Sequence, residues 1–199
     1  HFSSPEELRE FYEDGVEIIR EFAKRKKKYF SKRGWHLVGC EVPIKVTPHT
    51  YKPNLLLQGF LDVVLYHEPT QSFKIIDIKT SRSGWNKKTK SDENKQFQLV
   101  LYKKYFSELY NVPLEKISVE FFIVKRKLYE SKDFVIRRIQ TYTPPSGKVK
   151  MNRVQKSLND FINGAFNSDG FKEVDHQPTP HKNCNWCPFY KTHLCSATF

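Results

Sequence analysis

Gly59-Phe60-Leu61-Asp62 and Ile75-Ile76-Asp77-Ile78-Lys79-Thr80-Ser81, whose aspartate lies fifteen residues after the first, are the stretches on which the fold turns. Ile75, Ile76 and Ile78 are β-branched and bounded by polar residues, so Phe73 to Thr80 reads as a mostly buried strand. Side chains two apart in a strand leave the same face, which brings Asp77 and Lys79 out together. Leu55 to Tyr66 reads as the preceding strand, with a hairpin turn over His67 to Ser72. Such a hairpin lets Asp62 reach the face that carries Asp77. Buried charge is costly unless it pairs or binds something. Two readings follow. In one, the carboxylates converge on a hard divalent cation, with Lys79 orienting a water or stabilising charge on a phosphate. In the other, Asp77 and Lys79 form a structural ion pair and Asp62 is a turn residue.

Working outward, Ser4 to Phe30 reads as one helix. Ser4 is the expected N-cap, Pro5 suits the first turn, and Glu7 completes a capping box. Leu8, Phe11, Gly15, Ile18 and Phe22 form its apolar stripe. Its last turns carry Lys24-Arg25-Lys26-Lys27-Lys28, which suits the negative end of the helix dipole. Trp35 to Val46 reads as a strand broken by Pro43. After the Asp77 strand, Ser81 to Asp92 is polar and basic, with Arg82, Lys87, Lys88 and Lys90 around Trp85. Either it is a surface loop, or it tracks a nucleic-acid backbone and stacks a base on Trp85. Asp92 to Tyr110 is the next helix, and its Gln98 and Tyr102 share a face at i and i+4. Lys116 to Leu128 and Phe134 to Tyr142 are two further strands, followed by a helix over Lys150 to Phe166.

Lys plus Arg minus Asp plus Glu gives a net charge of +12 on 199 residues. That excess points to a polyanionic partner, nucleic acid first. No run approaches the ~20 apolar residues of a membrane span, and no stretch reads as a signal peptide. The start at His1 reads as a domain boundary. Three of the four cysteines cluster near the end, which fits an intracellular metal site, and hence a cytoplasmic protein, better than a disulfide framework.

Gly59-Phe60-Leu61-Asp62, Asp77-Ile78-Lys79-Thr80-Ser81 and Gln98-Leu99-Val100-Leu101-Tyr102 occur in that order with short spacings. Together they resemble the motifs of the PD-(D/E)XK nuclease superfamily in its RecB-like branch, over roughly residues 35 to 110. The resemblance implies an α/β (α+β) restriction-endonuclease-like core, αβββαβ, with a mixed sheet and the carboxylates near its centre. It implies a nuclease domain over residues 1–166 and a cysteine-rich tail over 167–199 packed on it. It also implies Mg2+ or Mn2+ held by Asp62, Asp77 and the backbone carbonyl of Ile78, with Lys79 placing the water. Gln98 and Tyr102 would guide the strand, with Trp85, Arg82, Lys87 and Lys88 as further DNA contacts. The branch leans towards exonucleases on single-stranded DNA ends, in repair, recombination or phage DNA metabolism, sometimes beside a helicase. Its members often carry a metal-binding His on the first helix. This chain has none between Phe2 and Trp35; Ile19 stands near the expected place, Glu17 and Glu21 are candidate substitutes, and Glu41, where family members often have a Glu, is a candidate to support the site from a neighbouring strand.

Cys184-x2-Cys187 with Cys195 is a metal pattern in its own right. Relatives in the branch hold a [4Fe-4S] cluster with three such cysteines and one upstream, here Cys40. Zinc with His181 or His193 as fourth ligand is the alternative, and packed free thiols the third reading. For the whole chain, the expectation is a metal-dependent deoxyribonuclease. Against it stands a catalytically inactive nucleic-acid-binding module with a metal-stabilised tail.

Overall fold

The computed structural model describes residues 3–30, 32–48, 52, 54–128, 137–172, 182–193 and 195. Its elements are α1 (Pro5–Phe30), β1 (Trp35–Val46), β2 (Leu57–His67), β3 (Ser72–Ser81), α2 (Lys87–Ser91), α3 (Glu93–Tyr110), β4 (Ile117–Lys125), β5 (Ile139–Tyr142) and α4 (Lys148–Ala165). The fold is mixed α/β, with one five-stranded sheet in the order β1-β2-β3-β4-β5. Only β3 and β4 pair in parallel; the other neighbours are antiparallel. The parallel pair needs a crossover, and α2 and α3 supply it.

The chain forms two compact units, His1–Val46 with Leu57–Lys156, and Thr47–Leu56 with Ser157–Phe199. In the first, Val63, Leu65, Ile76, Phe122 and Val124 form a buried cluster against Ile18, Tyr29 and Phe30 of α1. On α3, Leu99, Val100, Tyr105 and Phe106 are buried, and Val100 packs on Met151 and Val154 of α4. The capping box at the start of α1 is formed: the Glu7 N–H donates to Ser4 Oγ at 3.2 Å, and the Ser4 N–H donates to Glu7 Oε2 at 2.9 Å.

Two expectations need correction. Pro43 does not break β1, because β1 is an edge strand and a residue without an N–H is tolerated there. The basic segment after β3 is not all loop. Asn86 accepts from the Thr89 N–H at 2.9 Å and caps the short helix α2. The last expected strand forms only over Ile139–Tyr142; Arg137 and Arg138 lie before it, and 134–136 lie outside the described residues.

Much of the positive charge around β4 and β5 is already matched. Lys127 bridges Glu10 at 2.5 Å and Asp14 at 3.2 Å, Arg126 lies 3.6 Å from Asp14, and Arg138 pairs with Glu17. These acids sit three or four apart on α1, so they present one face of the helix to the basic strand ends. In the second unit, the buried Lys52 ammonium donates to the carbonyls of Ile162, at 3.5 Å, and Phe166. It meets the negative end of α4. Among the described residues, no helix is long and apolar enough to cross a membrane.

Candidate active site

The hairpin of β2 and β3 opens where its carboxylates begin. The last paired residues are Val63 and Ile76, and the next positions in register are Asp62 and Asp77. There the Asp62 side chain replaces the ladder, its Oδ2 accepting the Ile78 N–H at 2.6 Å. A side chain that takes over a backbone donor holds its strand open and stays fixed itself. β1 is irregular at the same level. Cys40 pairs with Val63 and Val42 with Leu61, leaving Glu41 across from Asp62 and outside the pairing. Glu41 has φ 52, in the left-handed region. A non-glycine residue held there inside a strand is strained, and such strain gathers at functional sites.

Asp77 is 1% exposed, and Lys79 is its charged neighbour. Lys79 Nζ donates to Asp77 Oδ1 at 3.2 Å and to Gln98 Oε1 at 3.0 Å. It also lies 2.9 Å from Asp77 Oδ2, so the ammonium spans both oxygens of the buried carboxylate. Gln98 Nε2 in turn donates to the Tyr102 hydroxyl at 3.0 Å. The Tyr102 ring rests on Gly59, where a Cβ would come within 2.9 Å of Cε1. One wired row therefore runs from Asp77 through Lys79 and Gln98 to Tyr102, and the glycine of β2 leaves room for its last ring. Burial pushes the Asp77 carboxyl above the usual range. The Lys79 hydrogen bond and charge oppose this, and the Asp62 charge adds to it.

A model of the PD-(D/E)XK nuclease superfamily matches residues 3–192. The chain belongs to that superfamily. Membership points to a metal-dependent nuclease. No curated protein matches the chain significantly in sequence. Among solved structures, the crystal structure of SSO0001 aligns at 16% identity and a TM-score of 0.43, over 88% of this chain and 65% of its own. The present chain thus spans less than two thirds of that neighbour.

A divalent cation on this PD-(D/E)XK framework has donors to meet, since Asp62 lines a cavity and stands next in register to the buried Asp77 carboxylate. Among the described residues, no group of three or more His, Cys, Asp or Glu side chains is placed to hold a metal. A site of two carboxylates, a backbone carbonyl and waters remains, the kind of shell that magnesium accepts. Glu41 lines the same cavity as Asp62, whereas Glu17 is paired with Arg138. Ile19 is 68% exposed and does not line that cavity. The α1 side chains that do are Phe22, Lys26 and Phe30, three residues and more beyond the place where the sequence suggests looking. Their four-residue spacing was visible, but no sequence signal tied that face to Asp62.

Arg82, Lys87 and Lys88 are exposed. Trp85 is anchored. Its N–H donates to Gln140 Oε1 at 2.7 Å, its carbonyl accepts from Gln140 Nε2 at 3.0 Å, and its ring lies 4.8 Å from Phe121. One face of the indole is thus spent on the core. In the tail, Cys184, Cys187 and Cys195 form no disulfide among the described residues and do not gather with His193 into a metal-holding group. Cys40 lies in β1 and lines the Asp62 cavity. His181 lies outside the described residues.

Proposed function

We propose that this chain is a metal-dependent deoxyribonuclease of the RecB-like kind, acting on single-stranded DNA ends. The observation that carries the reading is the pair of carboxylates on the opened hairpin, Asp62 and the buried Asp77 next to each other in register, with the Lys79 ammonium on Asp77. Asp62, Asp77 and the Ile78 carbonyl are the groups to hold Mg2+ or Mn2+. When bound, the cation supplies charge stabilisation on the phosphate oxygens. Asp62 keeps one oxygen on the Ile78 N–H and so presents the other at a fixed angle. Lys79 is tethered on two sides and offers its remaining N–H to the attacking water or to a phosphate oxygen. Gln98 and Tyr102 extend the polar row along which the strand would lie. Water attacks phosphorus in line, and the P–O bond opposite it breaks.

The test is cleavage of single-stranded and duplex oligonucleotides by the full chain with Mg2+, beside Lys79→Met and Asp62→Ala. Activity in the wild type that falls by several orders of magnitude in both variants supports the reading. Equal activity in all three overturns it. One feature favours a second reading, a binding module without cleavage: the α1 wall facing Asp62 carries Phe22 and Lys26 and no metal-binding side chain. Tight DNA binding with no cleavage in any divalent metal would select that reading.

A further inference from the structure

Asp62 and Glu41 line a cavity of about 680 Å³ between α1 and strands β1 to β3. Its apolar walls are Phe22 and Phe30 of α1, Trp35 of β1 and Ile78 of β3; Lys26 stands among them. Two of these apolar side chains remain open to solvent, Phe22 at 36% and Ile78 at 39%. Apolar surface left exposed beside a carboxylate, inside a concavity, is surface that a ligand covers. The lining is aromatic, with Phe22 and Phe30 centroids 5.6 Å apart. Among the described residues Lys26 is exposed and makes no ion pair, unlike Lys24 and Arg25, which bridge Glu21.

An occupant that fits has a flat apolar face for the rings and a negative charge for Lys26, and it adjoins a phosphate at Asp62. A nucleotide of the substrate strand has all three. In a duplex its base is paired and stacked, and entry costs the unpairing and unstacking energy. We infer that this cavity seats one unpaired nucleobase of the strand whose phosphate lies at Asp62 and Asp77, with Phe22 as its stacking surface and Lys26 on a neighbouring phosphate. The inference rests on the nuclease reading for the place of the phosphate, and it gives that site its selectivity for single strands: the cavity, not the carboxylates, rejects paired DNA.

The probe is a set of oligonucleotides carrying one 2-aminopurine at successive positions, single-stranded or fully paired. They are mixed with the full chain in Ca2+ for binding and in Mg2+ for cleavage. Stacking on an aromatic ring quenches this base. The expected result is quenching at one position of the single strand and none in the duplex. Phe22→Ala should lose that quenching and raise KM for single strands about tenfold, with kcat within about twofold. Phe22→Tyr should keep both. Lys26→Glu, at an exposed position that leaves packing alone, should weaken single-strand binding more than duplex binding. Quenching unchanged in Phe22→Ala, or equal quenching of the duplex, overturns the inference. So does Lys26→Glu weakening both substrates alike, a result that decides even if Phe22→Ala does not fold. Position-specific quenching without cleavage in any metal would sink the nuclease reading and leave the base-binding cavity standing. Cleavage without such quenching would do the reverse.

Discussion

Burial and pairing pull the Asp77 carboxyl in opposite directions, and burial is the stronger. The folded chain therefore holds this proton more tightly than the unfolded chain, whose ordinary value is 3.8. Linkage then fixes the sign. The contribution of this group to stability is fully present below about pH 3.8 and is lost as pH rises through the raised folded value. At neutral pH and without metal, Asp77 is a cost to the fold. The Asp77→Asn variant lacks the titration, so in EDTA its stability relative to wild type should grow as pH rises from about 4 towards 7. Urea midpoints across that range read it directly, and a difference that stays constant with pH would sink the idea. The same desolvated carboxylate, beside the Asp62 charge, is the reason to expect that Mg2+ restores to the wild type what Asp77→Asn gains without it. Neighbouring positions show how much of the site sequence alone could carry. Asp77-x-Lys79 follows from strand alternation, and their contact is short. Gln98 and Tyr102 follow from helical spacing, but their linkage to Lys79 does not, because side-chain hydrogen bonds between elements leave no periodic trace.

Elements place these residues through features that look minor one at a time. Gly59 matters for the volume it leaves free. Gly59→Ala should push the Tyr102 ring off β2 and disturb Gln98 and, through it, Lys79. Cleavage is expected to fall about tenfold while the Mg2+-induced thermal shift stays as in wild type. A loss of the thermal shift as well would mean that the substitution damages the metal site itself. Lys52 does a different task, closing the last turn of α4 with a buried ammonium. Lys52→Met leaves those carbonyls unsatisfied and should cost about 1–3 kcal/mol in chemical denaturation. No loss would show that water serves them equally well. Strand and helix order was legible because alternation and capping are local: β3, α1 and α3 lie within one or two residues of where the pattern puts them. What stayed hidden depends on neighbours. Pro43 is tolerated because β1 is an edge, Glu41 drops out of the pairing opposite Asp62, and α2 is too short for a periodic signal.

Over the whole molecule, a net charge of +12 overstates the charge free for a polyanion. Arg126, Lys127 and Arg138 are committed to α1, and Lys150 and Arg153 both bridge Glu93 at 2.7 Å. Arg82, Lys87 and Lys88, around the start of α2, and Lys26 on α1 remain exposed. Binding to a single-stranded oligonucleotide should weaken steeply between about 50 and 200 mM salt. Lys87→Ala with Lys88→Ala should lower the log–log slope by about one to two, whereas Arg153→Ala should leave it unchanged. An equal change in both would mean that the ion pairs with Glu93 open on binding. The tail cysteines are the part of the sequence that the structure leaves furthest from its expected role. The Cys-x2-Cys spacing is a local pattern, but a metal site needs a third and fourth donor brought from elsewhere, and His193 does not come to it.

The central claim is that the two carboxylates of the opened hairpin carry metal-dependent phosphodiester cleavage. The direct measurement is digestion of end-labelled single-stranded DNA by the full chain in Mg2+, Mn2+ or EDTA, beside Asp77→Ala. The account predicts products with either metal, none in EDTA and none from Asp77→Ala. Full metal-dependent cleavage by Asp77→Ala would contradict it.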